Sequence, residues 1–163
     1  MNDKYANYYN IDFVGTGAAI ELRLGGALSE NLILTFDILS KAIVSPEVKV
    51  NGSGTYATSN DVSLGEVTYG AGLTHYVMPT DIFVSATVGT GAFVINNNEQ
   101  TTRSKFGFSM QLKAGKHWWI SKSWGISLGG SYGFTSVDNT QNSIYSEQIR
   151  SNRFTIIASI GHH

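Results

Sequence analysis

The chain has 163 residues, a formal net charge of −1 and no cysteine. That length suits one domain, 1–163; the charge leaves no basic footprint for nucleic acid, and the missing cysteines exclude disulfides and thiolate metal sites. Charged residues make up only 14% and glycines number 18, whereas a soluble domain carries about 25% charge.

No apolar run approaches the ~20 residues of a membrane-spanning helix. The start, "MNDKYANYYN", lacks the basic and apolar regions of a secretory signal. It reads as the start of a mature chain, of a recombinant one, or of one that is not exported. Beyond it, alternation with a period of two dominates. Seven segments carry it, at 11–26, 31–44, 64–77, 81–95, 104–118, 124–136 and 152–161. Most exceed the ~5–6 residues common in soluble strands and suit the ~9–11 residues of a tilted spanning strand.

In the first segment Ile20, Leu22 and Leu24 oppose Glu21, Arg23 and Gly25. In the second, Leu32, Leu34, Phe36 and Ile38 oppose Thr35 and Asp37. The third sets Val67, Tyr69, Ala71 and Leu73 against Thr68, Gly70, Gly72, Thr74 and Tyr76. Ile82, Val84, Ala86 and Val88 oppose Ser85, Thr87, Gly89 and Gly91 in the fourth. In the fifth, Phe106, Phe108, Met110, Leu112 and Ala114 oppose Ser109, Gln111, Lys113 and His117. The sixth alternates Trp124, Ile126, Leu128, Tyr132 and Phe134 with glycine and serine.

Connections alternate in length. "ALSEN", "MPT" and "ISKS" are short; 45–63, 96–103 and 137–151 are long and rich in Asn, Ser, Thr and Gly. Short turns at one end and long loops at the other are the mark of an outer-membrane barrel. A soluble barrel or sandwich is the competing fold. Its water-facing strands would carry Lys, Glu and Arg, whereas the polar faces here are mostly Gly, Ser and Thr. The expected fold is therefore all-β, an antiparallel transmembrane up-and-down β-barrel of about eight strands. Tyr76, Trp118, Trp119 and Trp124 gather beside the short turns, as a periplasmic-side aromatic girdle does.

Three stretches, "GTGAAIELRLGGALSENLIL", "YGAGLTHYVMPTDIFVSATVG" and "AGKHWWISKSWGISLGG", together resemble a family of small, poorly characterised outer-membrane β-barrels known from deltaproteobacteria. The last resembles that family's "GKEWWVSxxWGLG" hairpin, with His117 in place of the acidic residue. Asp81 stands where asparagine is usual, and Ser29-Glu30 replaces a proline turn. The resemblance covers most of the chain outside the long loops. It implies a barrel in the bacterial outer membrane, in contact with its lipid, and carries no catalytic residue.

Seven strands fall one short of the even number usual in such barrels. Three solutions stand. A first strand is absent or supplied by another chain or segment, residues 1–14 form it, or the barrel closes with seven; the first is favoured.

The inward charges Glu21, Arg23, Asp37 and Lys113 are the best internal cluster, read as paired charges filling the interior rather than as a channel gate. His75 and His117 are the candidate acid–base groups, but no Ser/His/carboxylate set is legible. His162 and His163 read as a terminus or tag. Neither "GTG", at 15–17 or 89–91, precedes a helix, so neither is a phosphate loop. The long loops read as solvated segments facing outward, with calcium, surface glycans or a partner as possible ligands. No cofactor, metal or catalytic residue is assigned. The expected function is structural or surface-interacting, with a narrow pore or a lipid-modifying enzyme as alternatives.

Overall fold

A computed structural model describes residues 11–44, 46–50, 53–57, 62–97, 100–142 and 145–162. Its elements are β1 (Ile11–Val14), β2 (Gly17–Ser29), β3 (Leu32–Val44), β4 (Glu47–Val50), β5 (Ser53–Ala57), β6 (Val62–Val77), β7 (Ile82–Asn97), β8 (Gln100–Arg103), β9 (Gly107–Trp119), β10 (Trp124–Asn142) and β11 (Tyr145–His162). Among the described residues there is no helix.

Seven long strands form one antiparallel meander in the order β2-β3-β6-β7-β9-β10-β11, and β8 adds an eighth strand against the end of β7. Alternation explains the register, because pairing that slips by one residue would move a whole apolar set to the other face. Leu34 therefore pairs with Leu73, Leu73 with Ala86, and Ala86 with Leu112. These residues share one face, and Thr35, Thr87 and Gln111 share the other. The sheet curls around that second, polar face. Among the described residues no pairing joins β2 to β11, so the curl is an open half-barrel.

The strands meet the predicted segments closely at the tight turns and depart from them at the other end. The first segment breaks at Gly15-Thr16, and β1 leaves the large sheet to pair with β4. Ile11–Val14 thus does not supply a neighbour for β2 or β11; the rest of the proposed strand, residues 1–10, lies outside the described residues. Segment 45–63 holds the hairpin strands β4 and β5, and 96–103 holds β8. The expected loop at 137–151 is mostly strand, with β10 and β11 in register from Val137↔Ile149 through Thr140↔Ser146. The reason is physical. Where both faces become polar the alternation disappears, yet the backbone ladder continues because its hydrogen bonds do not depend on side-chain polarity.

Fully buried positions are mainly polar. Leu39, Phe83, Phe93 and Val137 are buried apolar side chains, while Thr74, Ser85, Thr135, Asp37, Glu66, Lys113 and Arg153 are buried as deeply or nearly so. The outer wall is the reverse, with Leu22, Phe36, Leu73, Val84, Phe108, Leu128 and Ile156 all exposed.

Candidate functional site

The polar lumen contains two ion clusters, stacked along the strands. The first unites all four predicted charges. Arg23 on β2 sits directly across from Asp37 on β3, which places its Nε 3.2 Å from Asp37 Oδ1. That contact is an ion pair without hydrogen-bond geometry. Lys113, on β9, reaches across the lumen to Asp37 Oδ2 at 3.3 Å and donates to Glu21 Oε1 on β2. Arg23 also lies 3.7 Å from Glu21. Thr87 donates to Asp37, and Arg23 to Thr74, which in turn bonds Ser85 at 2.9 Å. Two cations face two carboxylates, so the buried charges balance, as their desolvation demands.

The second cluster escaped the sequence reading. Lys41 and Glu66 are cross-strand partners on β3 and β6, with Nζ 3.0 Å from Oε2. Arg153, on β11, crosses the lumen and donates to Glu66 Oε1 and to Thr135. Thr135 and Ser151 also donate to Glu66, and Ser109 lies 2.9 Å from Thr135. The signal was present. Lys41, Glu66 and Arg153 all occupy the inward parity of their strands, but parity alone does not say which inward residues meet.

Small residues make this packing possible. A Cβ on Gly133 would lie 2.4–2.8 Å from Arg153 Nε, Cζ and Nη2, so the guanidinium lies flat where only glycine leaves room. The same contact leaves Arg153 Nε and Nη2 buried with no acceptor, a cost that the two Nη1 contacts offset. Beside Asp37 a cavity lined by Thr87, Gly89 and Gln111 measures about 10 Å³, close to the least volume that holds one water. Side chains therefore fill the lumen at this level.

At the short-turn end His117 faces inward and is buried. Its Nδ1 lies 2.8 Å from Ser127 Oγ, and the Tyr76 and Trp119 rings meet it edge-on. The predicted girdle therefore divides. Trp118 and Trp124 stand on the outer wall, while Tyr76 and Trp119 have the inward parity and cap the lumen. His75 has the outward parity and is exposed. His162 pairs with Trp124 and meets its ring edge-on, the centroids 5.1 Å apart; His163 lies outside the described residues. Among the described residues no group of three His, Asp or Glu could hold a metal. Comparison with known protein families, curated proteins and solved structures gives no match.

Proposed function

We propose that this chain is a small β-barrel protein of the bacterial outer membrane, held by lipid on its outer wall, with a filled, non-conducting interior and a structural or surface-interaction role at its long-connection end. One observation carries the reading: the sheet is inside out for water. Among the described residues, 14 polar or charged side chains are buried against five hydrophobic ones. Such a wall exposes far more apolar surface than the few hundred Å² usual on soluble monomers, and it matches a barrel whose lumen is polar and whose outside meets hydrocarbon. The sequence resemblance described above points the same way.

The test is charge on the wall. Val84→Arg and Leu128→Arg are each expected to cost about 2–4 kcal/mol if the position lies near a bilayer midplane, read as a fall in the urea midpoint of protein refolded into lipid vesicles. A water-facing position would accept arginine without loss. Wild-type stability and solubility in buffer free of detergent would also overturn the reading. The His117–Ser127 contact favours one alternative, a lipid-modifying hydrolase. The pair faces the lumen, behind the wall formed by Ile126 and Leu128, so acyl release from phospholipid vesicles is expected to stay at background.

A further inference from the structure

The outer wall of the large sheet carries a cation where hydrocarbon is the rule. Among the described residues of the seven long strands, the outward parity holds a single Asp, Glu, Lys or Arg before Asp138 and Arg150 at the far end. It is Lys116, on β9. Its cross-strand neighbours are Ile82 on one side and Leu128 on the other, with Ala158 beyond Leu128. Lys116 is exposed, and no carboxylate among the described residues pairs with it. A cation on a lipid-facing wall is costly at the midplane and tolerated near an interface, where its flexible stem carries the ammonium toward the headgroups. Lys116 stands at that level, because its partner Ile82 is the first residue of β7 after the tight turn.

A groove begins beside it. Two adjacent rungs of the sheet, Trp118–Ile126–Ile160 and Lys116–Leu128–Ala158, border an open hollow of about 510 Å³ lined by Trp118, Ile126, Leu128, Ala158 and Ile160. Residue size makes the relief. Ala158 is small beside Ile160, and on the following rung Ala114 faces Gly130, where an added Cβ would meet nothing closer than 4.0 Å. The hollow is thus open toward the middle of the wall and banked by large side chains near the turn. Charge at the turns is divided in the same sense. Glu30 stands on the β2–β3 turn and Asp81 on the β6–β7 turn, whereas the β9–β10 turn carries Lys122 and no acid. Lys122 is exposed and, like Lys116, has no carboxylate partner among the described residues.

We propose that this corner of β9, β10 and β11 binds one anionic glycerophospholipid from the leaflet at the short-turn end, its phosphate held by Lys116 and Lys122 and one acyl chain lying along the groove. The proposal rests on the membrane reading and gives it a particular lipid partner. Charge and shape together select the occupant. Two unpaired cations without an acid call for a negative head, and the apolar groove that starts at Lys116 calls for a hydrocarbon tail joined to it. A zwitterionic lipid brings its own ammonium, which the two lysines repel. Trp118 and Trp124, outward on the same corner, supply the amphipathic rings that sit at headgroup level.

The three tryptophans of the chain, Trp118, Trp119 and Trp124, all belong to this corner, so their fluorescence reports what occupies it. The 163-residue chain is refolded into phosphatidylcholine vesicles with a minor fraction of phosphatidylglycerol, and bromine is placed on the acyl chains of one lipid or of the other. Quenching then gives the affinity for phosphatidylglycerol relative to phosphatidylcholine. The expected preference is about fivefold or more, the attraction of an anionic lipid surface for one nearby lysine being about fivefold. Lys116→Gln combined with Lys122→Gln is expected to bring the ratio close to one, and Lys116→Arg to preserve it. Ala158→Phe fills the groove without touching the charge and is expected to lower the ratio as well; Ala158→Leu replaces it if the far-UV spectrum of the phenylalanine variant departs from wild type. Equal quenching by both lipids in the wild-type chain would overturn the site and leave the membrane reading standing. A preference that survives the double lysine variant would overturn it too, as would one that survives filling of the groove, which would mean general attraction to a charged surface. Quenching by neither lipid would overturn the site and the membrane reading together.

Discussion

Lys113 is the residue on which the first ion cluster turns, because it alone reaches both Asp37 and Glu21 across the lumen. Lys113→Met leaves two buried or half-buried carboxylates facing one arginine. Breaking a buried pair costs about 3–5 kcal/mol, so the urea midpoint in micelles is expected to fall accordingly. Adding Asp37→Asn to that variant removes one stranded charge, and the double variant is expected to be more stable than the sum of the single losses. Gly133 makes the matching prediction in the second cluster. Gly133→Val drives a branched side chain into the Arg153 guanidinium, and overpacking of this kind costs about 1–3 kcal/mol. The same thermal or urea measurement checks it, with Gly130→Ala as control, because Gly130 meets nothing closer than 4.0 Å.

At the level of elements, the turn between β6 and β7 depends on one backbone conformation. Asp81 has φ of 54°, in the left-handed region that asparagine, aspartate and glycine enter most readily. Its carbonyl accepts the His117 N–H at 2.9 Å, tying the turn to β9. Asp81→Val is expected to destabilise by about 1–2 kcal/mol, while Asp81→Gly stays near wild type; comparison of denaturation midpoints decides. The hairpin of β4 and β5 stands in a separate three-stranded sheet with β1. Replacing Glu47–Ala57 by a short Gly/Ser connector is expected to leave the midpoint of the large sheet almost unchanged, since lengthening or shortening such a loop shifts closure entropy by only ~0.6 kcal/mol per doubling.

For the whole molecule the governing feature is inversion, with ions inside and hydrocarbon side chains outside. Salt bridges from β9 to β2 and from β11 to β6 cross the lumen and tie together strands that share no backbone pairing. The same bridges fill the interior. Planar bilayers holding the refolded protein are therefore expected to stay electrically silent. Stepwise conductance would instead mean that the clusters leave a water path and favour the narrow-pore alternative.

Much of this was legible in the chain itself. Alternation located all seven long strands and, in the first six, their apolar face, because a period of two fixes which side each residue takes regardless of its partners. It also marked Glu21, Arg23, Asp37 and Lys113 as inward, and the tight turns as turns. Alternation says nothing once both faces are polar, so the extensions of β10 and β11 through the expected loop at 137–151, and the departure of β1 toward β4, depended on backbone pairing over distance. The second cluster is the same case. Lys41, Glu66 and Arg153 have inward parity in the sequence, but their meeting joins residues 87 positions apart and exists only because the sheet curls. Parity along one strand is a local property of the polypeptide; which inward residues meet across a lumen is set by curvature, and curvature belongs to the sheet as a whole.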